Sequence, residues 1–210
     1  MRSSWPLVLA LSLVVLGWRG PPLSADEAVT QIPKEAPATP SGRYLLMDPN
    51  GRAVTNQDFP DQLQLVSFGY SYCPDICPTT LVTQAAVLRA LGERAGAVQP
   101  IFITVDPGRD TPEVLRRYTA YFDPRIIGLT GSPELIARAA EHFRVRYERV
   151  QEPGAPPDAY HMDHTAGMFL LGPDGDYIRR FAYETPATEI AERLAALVDE
   201  IGLPGAGANR

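Results

Sequence analysis

The sequence predicts an α/β fold in which helices flank a mixed β-sheet and a β-hairpin precedes it. Apolar segments rich in strand-forming residues alternate with segments of helical periodicity through the middle of the chain. The last part carries two strand-like segments around a turn, followed by one helix. Because 45% of the 210 residues are apolar and no internal repeat is present, we expect a single domain with a tail.

The first 42 residues are expected to lie outside this domain. Arg2, a short apolar run over residues 5–16 and small residues near Ala25 predict an export signal over residues 1–25. A membrane-crossing helix needs about 20 apolar residues, so the run favours a cleaved signal, with a retained membrane anchor as the alternative. Residues 26–42 are rich in Pro, Ala and Thr and predict an extended linker, which leaves residues 43–205 for the domain.

The first strands follow from turn chemistry and from apolar runs. Residues 44–47 and 53–54 flank the turn sequence DPNG, which predicts the hairpin. Residues 63–70 are rich in strand formers and mostly apolar and residues 101–105 are similar, as expected of buried central strands.

Proline in the first turn marks the helix starts. Pro78 is expected to begin the first helix, which ends near Gly96. Thr111 and Ser132 are each followed by proline and glutamate, which predicts a cap, a first-turn proline and an acid at the positive helix end. The remaining predicted elements are a helix to residue 122, a strand at 126–129, a helix to residue 143, a loop at 151–163, a hairpin at 166–171 and 177–183, and a helix from residue 186.

The charge balance excludes a class of ligands. The formal net charge is −6 and becomes −8 if residues 1–25, which carry two arginines and no acid, are removed. No cluster of Lys or Arg occurs along the chain. Nucleic acids and anionic lipids reward the neutralisation of phosphate by basic residues, so nucleic-acid binding is excluded.

Cys73 and Cys77 are the only cysteines, and they lie between the predicted central strand and the first helix. Binding sites gather at such carboxyl ends of strands in α/β sheets. With Pro78 as the first helical residue, Cys77 would be the N-cap, where the helix dipole favours a thiolate. A structural disulfide is the alternative in an exported protein, but it would close too short a loop to stabilise much. We therefore interpret the pair as functional.

Two thiolates are soft ligands that select Cu(I), zinc or iron–sulfur clusters, and histidine is the natural third ligand. His142 lies off the apolar stripe of its predicted helix and is expected to be solvent-exposed. His161 and His164 lie where the loop re-enters the sheet, and His164 leads directly into the predicted strand. A ligand must be held in place, which favours His164, although the residues alone leave an ordinary surface histidine open.

Several blocks of the sequence resemble the Sco/SenC family. They are residues 68–78 (FGYSYCPDICP), 105–112 (VDPGRDTP), 128–131 (GLTG), 163–165 (DHT) and 171–175 (LGPDG). The resemblance covers residues 44–198 and implies a thioredoxin-like fold and a copper-handling role in the assembly of cytochrome c oxidase. It implies that Cys73, Cys77 and His164 bind copper, as Cu(I) or Cu(II).

The resemblance also implies partners and a location. The copper-site subunit of cytochrome c oxidase would receive the copper, and an upstream copper donor could supply it. The expected location is the periplasm or the outer face of the inner membrane, with a membrane tether through the N-terminus where the family's usual anchor is retained.

Neighbouring residues are expected to support the site. Asp106, Arg109 and Asp110 should lie at the same sheet edge as Cys73, either as an ion-pair network that braces the site or as a docking surface, although helix capping explains part of this run. Asp75 could orient a metal or a partner. Met162 is the methionine placed to assist copper capture.

The alternative function is that of a thiol–disulfide oxidoreductase that keeps the cysteines of a partner reduced. Thioredoxins place a cis-proline beside their active cysteines, whereas this neighbourhood has His164 followed by Thr165 and Ala166. A potential metal ligand at this place favours metal binding over exchange, and the two roles can coexist. A peroxiredoxin or a catalytic zinc hydrolase is less favoured, because neither a Thr-Pro-x-x-Cys pattern nor a paired-histidine helix motif occurs.

Overall fold

The computed structural model describes residues 39–205, so the predicted export signal and most of the predicted linker lie outside the described residues. In chain order the elements are β1 (Leu45–Met47), β2 (Ala53–Thr55), β3 (Leu63–Gly69), α1 (Ile76–Leu91), a 3₁₀ helix (Gly92–Ala97), β4 (Val98–Thr104), α2 (Pro112–Phe122), β5 (Ile127–Leu129), α3 (Pro133–Phe143), β6 (Tyr147–Val150), β7 (His161–His164), β8 (Met168–Leu171), β9 (Tyr177–Phe181) and α4 (Ala187–Ile201). None of the helices within residues 39–205 combines the length and the apolarity needed to cross a lipid bilayer.

A five-stranded mixed sheet in the order β5-β4-β3-β8-β9 forms the centre of the domain. Strands β3, β4 and β5 are parallel, whereas β8 is antiparallel to both β3 and β9. The carboxyl ends of the parallel strands therefore meet at one edge of the sheet. This sheet and the antiparallel pair β1–β2 confirm the predicted fold class and the predicted hairpin.

Helices cover both faces of the sheet because its strands are apolar on both sides. Every residue of β3 is buried. On one face Phe68 packs against Phe143 of α3 and Phe169 of β8, with ring centroids 5.1 Å and 6.0 Å away. On the other face Leu65 belongs to an apolar cluster that includes Leu88 of α1, and α1 packs against α4.

Two of the predicted helix starts are confirmed and one is wrong. The hydroxyls of Thr111 and Ser132 cap α2 and α3 by accepting backbone N–H groups three residues ahead. Helix α1 begins at Ile76 with Asp75 as its N-cap, so Pro78 is its third residue and Cys77 is not the cap. Proline fits anywhere in a first turn, because those N–H groups have no partner inside the helix.

The structure contains a second small sheet that the sequence analysis missed. Strand β7 lies partly inside the segment predicted to be a loop and pairs in antiparallel fashion with β6. In this ribbon Tyr147 lies opposite His164. The next strand begins at Met168 and not at residue 166, so His164 ends β7 and does not lead into β8.

Candidate metal centre

The loop between β3 and α1 places Cys73 at the surface, and the first turn of α1 places Cys77 in the interior. Cys73 is half-buried, while Cys77 is only 1% exposed, and both are free thiols. The backbone N–H of Cys77 donates to the sulfur of Cys73 across 3.4 Å. The sulfur that benefits from the start of the helix is therefore that of Cys73, not that of Cys77 as the sequence predicted.

The pKa values of the two thiols are shifted in opposite directions. The Cys77 thiol donates to the Cys73 sulfur, which also accepts backbone N–H groups, and together these bonds lower the pKa of Cys73 to about 5. Donation to Cys73 and burial raise the pKa of Cys77 above its ordinary value. The reduced pair thus consists of an accessible thiolate and a buried thiol that stabilises it.

Gly69, the last residue of β3, lets Cys77 approach the sheet. A Cβ atom on Gly69 would lie 2.7 Å from the Cys77 sulfur and 2.8 Å from the Phe102 ring, closer than atoms can pack. The position therefore requires a residue without a side chain.

His164 reaches Cys77 from the end of β7. Its Nε2 atom lies 3.4 Å from the Cys77 sulfur, although the residues are 87 positions apart. Its Nδ1 atom lies 3.2 Å from the Thr165 carbonyl oxygen, which can only accept a hydrogen bond. Nδ1 therefore carries a hydrogen, and in the neutral ring Nε2 keeps its lone pair, as a metal ligand requires.

The spacing of these atoms can be compared with that of two ligands of one ion. Sulfur and nitrogen at about 2.3 Å and 2.0 Å from a metal, with an angle of about 100–120° between the bonds, are about 3.3–3.7 Å apart. The contact between Cys77 and His164 has this spacing. In the described part of the chain no three His, Cys, Asp or Glu side chains could hold a metal ion as they stand, so the three-ligand set stays a prediction.

The other two histidines lie elsewhere. His161 is exposed, with Nε2 3.5 Å from an Asp163 oxygen. His142 is a partly exposed surface residue, as expected in part, and its Nδ1 atom lies 3.0 Å from the Arg43 carbonyl oxygen. The His142 side chain lies off the apolar stripe of α3 and contacts the segment that precedes β1.

The turn between β4 and α2 braces the loop of residues 70–75, which carries Cys73 (the cysteine loop). Asp110 is fully buried and accepts from the Ser71 backbone N–H at 3.1 Å and from the Thr104 hydroxyl at 2.6 Å. Burial raises the pKa of Asp110, and the bonds from Ser71 and Thr104 oppose that shift. Asp106 forms an ion pair with Arg109, which is one pair of the network that the sequence suggested, whereas Asp110 contributes the hydrogen bonds above.

Asp75 and Met162 were expected to assist metal binding, and their surroundings do not favour that role. One supporting residue, Tyr160, was not predicted. Asp75 is exposed and makes no side-chain cap bond. Met162 is 9% exposed and packs in the apolar core, which does not favour a role in copper capture. Tyr160, directly before β7, donates its hydroxyl hydrogen to Asp106 at 2.9 Å. A single aromatic residue in a proline-rich loop carries no sequence pattern that would reveal this contact.

Comparison with known proteins identifies the family to which the chain is similar. The family model described as SCO1/SenC matches residues 33–199. Protein SenC of Rhodobacter capsulatus is 36% identical over 170 residues, which cover 81% of this chain and 76% of that protein. The human mitochondrial SCO2 homolog is 40% identical over 159 residues, which cover 75% of this chain and 59% of that protein.

Solved structures agree with this assignment. The copper-bound structure of Bradyrhizobium japonicum ScoI matches with a TM-score of 0.67 and 40% identity, over 74% of this chain and 98% of that chain. The copper-bound structure of Arabidopsis thaliana ScoI matches with a TM-score of 0.70 and 31% identity, over 77% and 99%. The thioredoxin-like fold that the resemblance implied is confirmed, and the chain belongs to the SCO1/SenC family.

Proposed function

We propose that the protein binds one copper ion, as Cu(I) or Cu(II), through Cys73, Cys77 and His164, and delivers it to, or prepares, the copper site of cytochrome c oxidase. The observation that carries the proposal is the 3.4 Å contact between the Cys77 sulfur and Nε2 of His164, next to the Cys73 thiolate. The copper bound in similar Sco structures supports it.

The charge of the ligand set suits both oxidation states of copper. Two thiolates and a neutral imidazole give a total charge of −1 around Cu(I) and zero around Cu(II). Because the pKa of Cys77 is raised, copper entry must displace the proton of this thiol. Copper binding should therefore release one proton per chain in the pH range where Cys73 is already a thiolate.

The exposure of the two sulfurs suggests a direction for transfer. Cys73 is the outer ligand, and its neighbour Tyr72 is 63% exposed, whereas Cys77 is buried. A soft ligand of an acceptor protein can reach the copper from the Cys73 side and replace the protein's ligands in turn. We propose as partners the copper-site subunit of the oxidase and an upstream copper donor, outside the cytoplasm, in the periplasm or at the outer face of the inner membrane.

Anaerobic titration of the reduced protein with Cu(II) tests the proposal. We expect intense sulfur-to-copper charge-transfer absorption that saturates at one copper per chain. His164→Ala should weaken copper binding at least about tenfold, because a ligand is lost. His161→Ala is the matched control, since His161 is exposed and contacts Asp163. Equal affinities for His164→Ala and the wild type would contradict the ligand assignment.

The low pKa of Cys73 favours a second candidate function, thiol–disulfide exchange. The Cys73 thiolate would attack one sulfur of a partner's disulfide, form a mixed disulfide and release a partner thiolate, which takes up a proton. Cys77, after losing its proton, would attack the Cys73 sulfur and release the second partner thiol. The chain would end oxidised and the partner reduced.

His164→Ala separates the two functions. If copper handling is the main role, the variant should lose copper affinity. It should keep its rate of exchange with a small-molecule disulfide. A variant that keeps copper affinity and loses exchange would favour the oxidoreductase.

A further inference from the structure

The side chain of Arg109 is anchored in the tight turn between β4 and α2. The backbone N–H groups of Arg109 and Asp110 both donate to the Asp106 carbonyl oxygen, at 3.2 Å and 2.9 Å. The Nε atom of Arg109 forms an ion pair with the Asp106 carboxylate, and the side chain is only 17% exposed. The guanidinium group is therefore fixed relative to the central sheet.

This guanidinium group contacts Tyr160, the residue directly before β7, which is the strand that carries His164 (the histidine strand). Its Nη1 atom donates to the Tyr160 carbonyl oxygen at 3.0 Å, and its Cζ atom lies 3.6 Å from the centroid of the Tyr160 ring. The Tyr160 hydroxyl in turn donates to Asp106 at 2.9 Å. Backbone, ring and hydroxyl of the residue before β7 are thus all attached to the Asp106–Arg109 pair.

The same guanidinium group also contacts the cysteine loop. The Cζ atom of Arg109 lies 4.8 Å from the centroid of Tyr72, the residue before Cys73, and 5.6 Å from that of Tyr70. The Nη2 atom is buried and has no hydrogen-bond partner among residues 39–205, so the aromatic rings are its surroundings. Tyr70 also packs edge-on against the His164 ring, with centroids 6.2 Å apart.

We propose that Arg109 is a positioning residue that clamps the histidine strand to the cysteine loop, and so holds His164 beside Cys77. This inference rests on the proposed function and names what fixes its third ligand. Such a clamp is needed because β6 and β7 form a separate two-stranded ribbon that does not pair with the five-stranded sheet. A two-stranded ribbon is marginally stable alone, so its side-chain contacts must set its position.

The clamp needs the shape of arginine and not only its charge. The planar guanidinium group can form an ion pair, donate to a carbonyl and stack on aromatic rings at once, which a lysine ammonium cannot do. Arg149 provides a matched control. Its Cζ atom lies 3.9 Å from the same Tyr160 ring, but its side-chain hydrogen bonds go to Gln151 and to the Pro157 carbonyl, in the loop that follows β6.

The test uses the full chain in its reduced, copper-free form, labelled with ¹³C and ¹⁵N in its three histidines. His164→Ala assigns the imidazole resonances of His164. We expect Arg109→Ala and Arg109→Lys to shift or broaden these resonances while those of His161 and His142 stay in place. Arg149→Ala should leave all three unchanged. In copper titrations both Arg109 variants should bind at least about tenfold more weakly than the wild type.

Tyr160→Phe, which keeps the ring, should preserve the His164 resonances, and Arg109→Lys carries the test if Arg109→Ala does not fold. Unchanged His164 resonances in Arg109→Lys, or equal shifts in Arg149→Ala, would overturn the proposal. A wild-type protein that binds no copper would refute the proposed function instead, and the copper-free resonances would still decide the role of Arg109.

Discussion

Cys73 and Cys77 are four positions apart, yet the structure gives their sulfurs different environments. The sulfur of Cys73 receives the Cys77 thiol hydrogen and backbone N–H groups, whereas Cys77 is packed between Gly69 and the core. The reactive atom of the reduced protein is therefore the outer sulfur. In copper binding this sulfur would meet the ion first, and in disulfide exchange it would be the attacking group.

The pH dependence of alkylation tests this assignment. The rate at which iodoacetamide modifies Cys73 should rise with a midpoint near the pKa of about 5 and then level off, while Cys77 stays unmodified. Cys77→Ala removes the donated thiol hydrogen and should move the midpoint toward that of an ordinary thiol. Peptide mapping by mass spectrometry identifies the modified residue. A wild-type midpoint near that of a free thiol would contradict the assignment.

The same pKa predicts how stability depends on pH. Because the folded pKa of Cys73 is lower than the value of about 8.5 for an unfolded thiol, unfolding takes up a proton between these two values. The stabilisation is present in full above about pH 8.5 and is lost as the pH falls through about 5. The urea midpoint of the reduced protein should thus rise across this window, and that of Cys73→Ser should rise less. Equal pH slopes would show that the thiolate is not stabilised by folding.

Gly69 is a position where one methyl group should disrupt the site. In Gly69→Ala the new Cβ would overlap the Cys77 sulfur and the Phe102 ring, and we expect a loss of about 1–3 kcal/mol in the free energy of unfolding. Copper affinity should fall as well, because Cys77 must move. Gly108→Ala is the control, since the nearest atom to its Cβ is 3.8 Å away. Denaturant titrations of the two variants measure the difference, and equal stabilities would contradict the packing argument.

At the scale of elements, one connecting segment contacts both the cysteine loop and the histidine strand. The turn between β4 and α2 reaches the cysteine loop through Asp110 and the histidine strand through Arg109. The carboxyl ends of β3 and β4 are adjacent in a parallel sheet, which brings this turn next to Cys73.

Asp110→Ala measures how strongly the turn braces the loop. It would leave the backbone N–H and hydroxyl of Ser71 and the hydroxyl of Thr104 without their acceptor, at a cost of roughly 3 kcal/mol. Asp58→Ala is the control, because Asp58 accepts from Thr55 at an exposed site where water can replace it. Thermal or urea unfolding should show a much smaller loss for the control. Similar losses for both variants would contradict a bracing role for Asp110.

The sequence predicted most elements but not those that depend on distant contacts. Caps and prolines located α2 and α3, and apolar runs located β3 and β4, because these signals are local. The ribbon β6–β7 was not predicted because only Met162 of β7 is buried, so the sequence shows no alternation of apolar and polar residues there. The start of α1 was misplaced because proline is tolerated throughout a first turn.

At the scale of the whole molecule, the candidate site depends on contacts across 87 residues of sequence. Soft-ligand chemistry restricted the third ligand to a few histidines, and the family resemblance selected His164. The sequence suggested that Arg109 lies near Cys73, but neither source predicted its contacts with Tyr160, because such contacts follow from the tertiary fold. The acidities of the two thiols were also reversed, since they depend on which sulfur faces the helix start.

The predicted export signal makes a testable statement about the mature protein. If the chain is exported and cleaved after Ala25, the protein purified from its host should begin at Asp26 and appear in the soluble periplasmic fraction. Mass spectrometry of the intact protein, with fractionation, measures both. A full-length protein in the membrane fraction would support the anchor alternative, and one in the cytoplasm would contradict export.

X-ray absorption spectroscopy of the reduced protein loaded with one equivalent of Cu(I) tests the central claim most directly. We predict two sulfur ligands at about 2.3 Å and one nitrogen ligand at about 2.0 Å, with the nitrogen lost in His164→Ala and kept in His161→Ala. A copper site with the same ligands in the wild type and in His164→Ala, or one that survives the loss of either cysteine, would contradict the account.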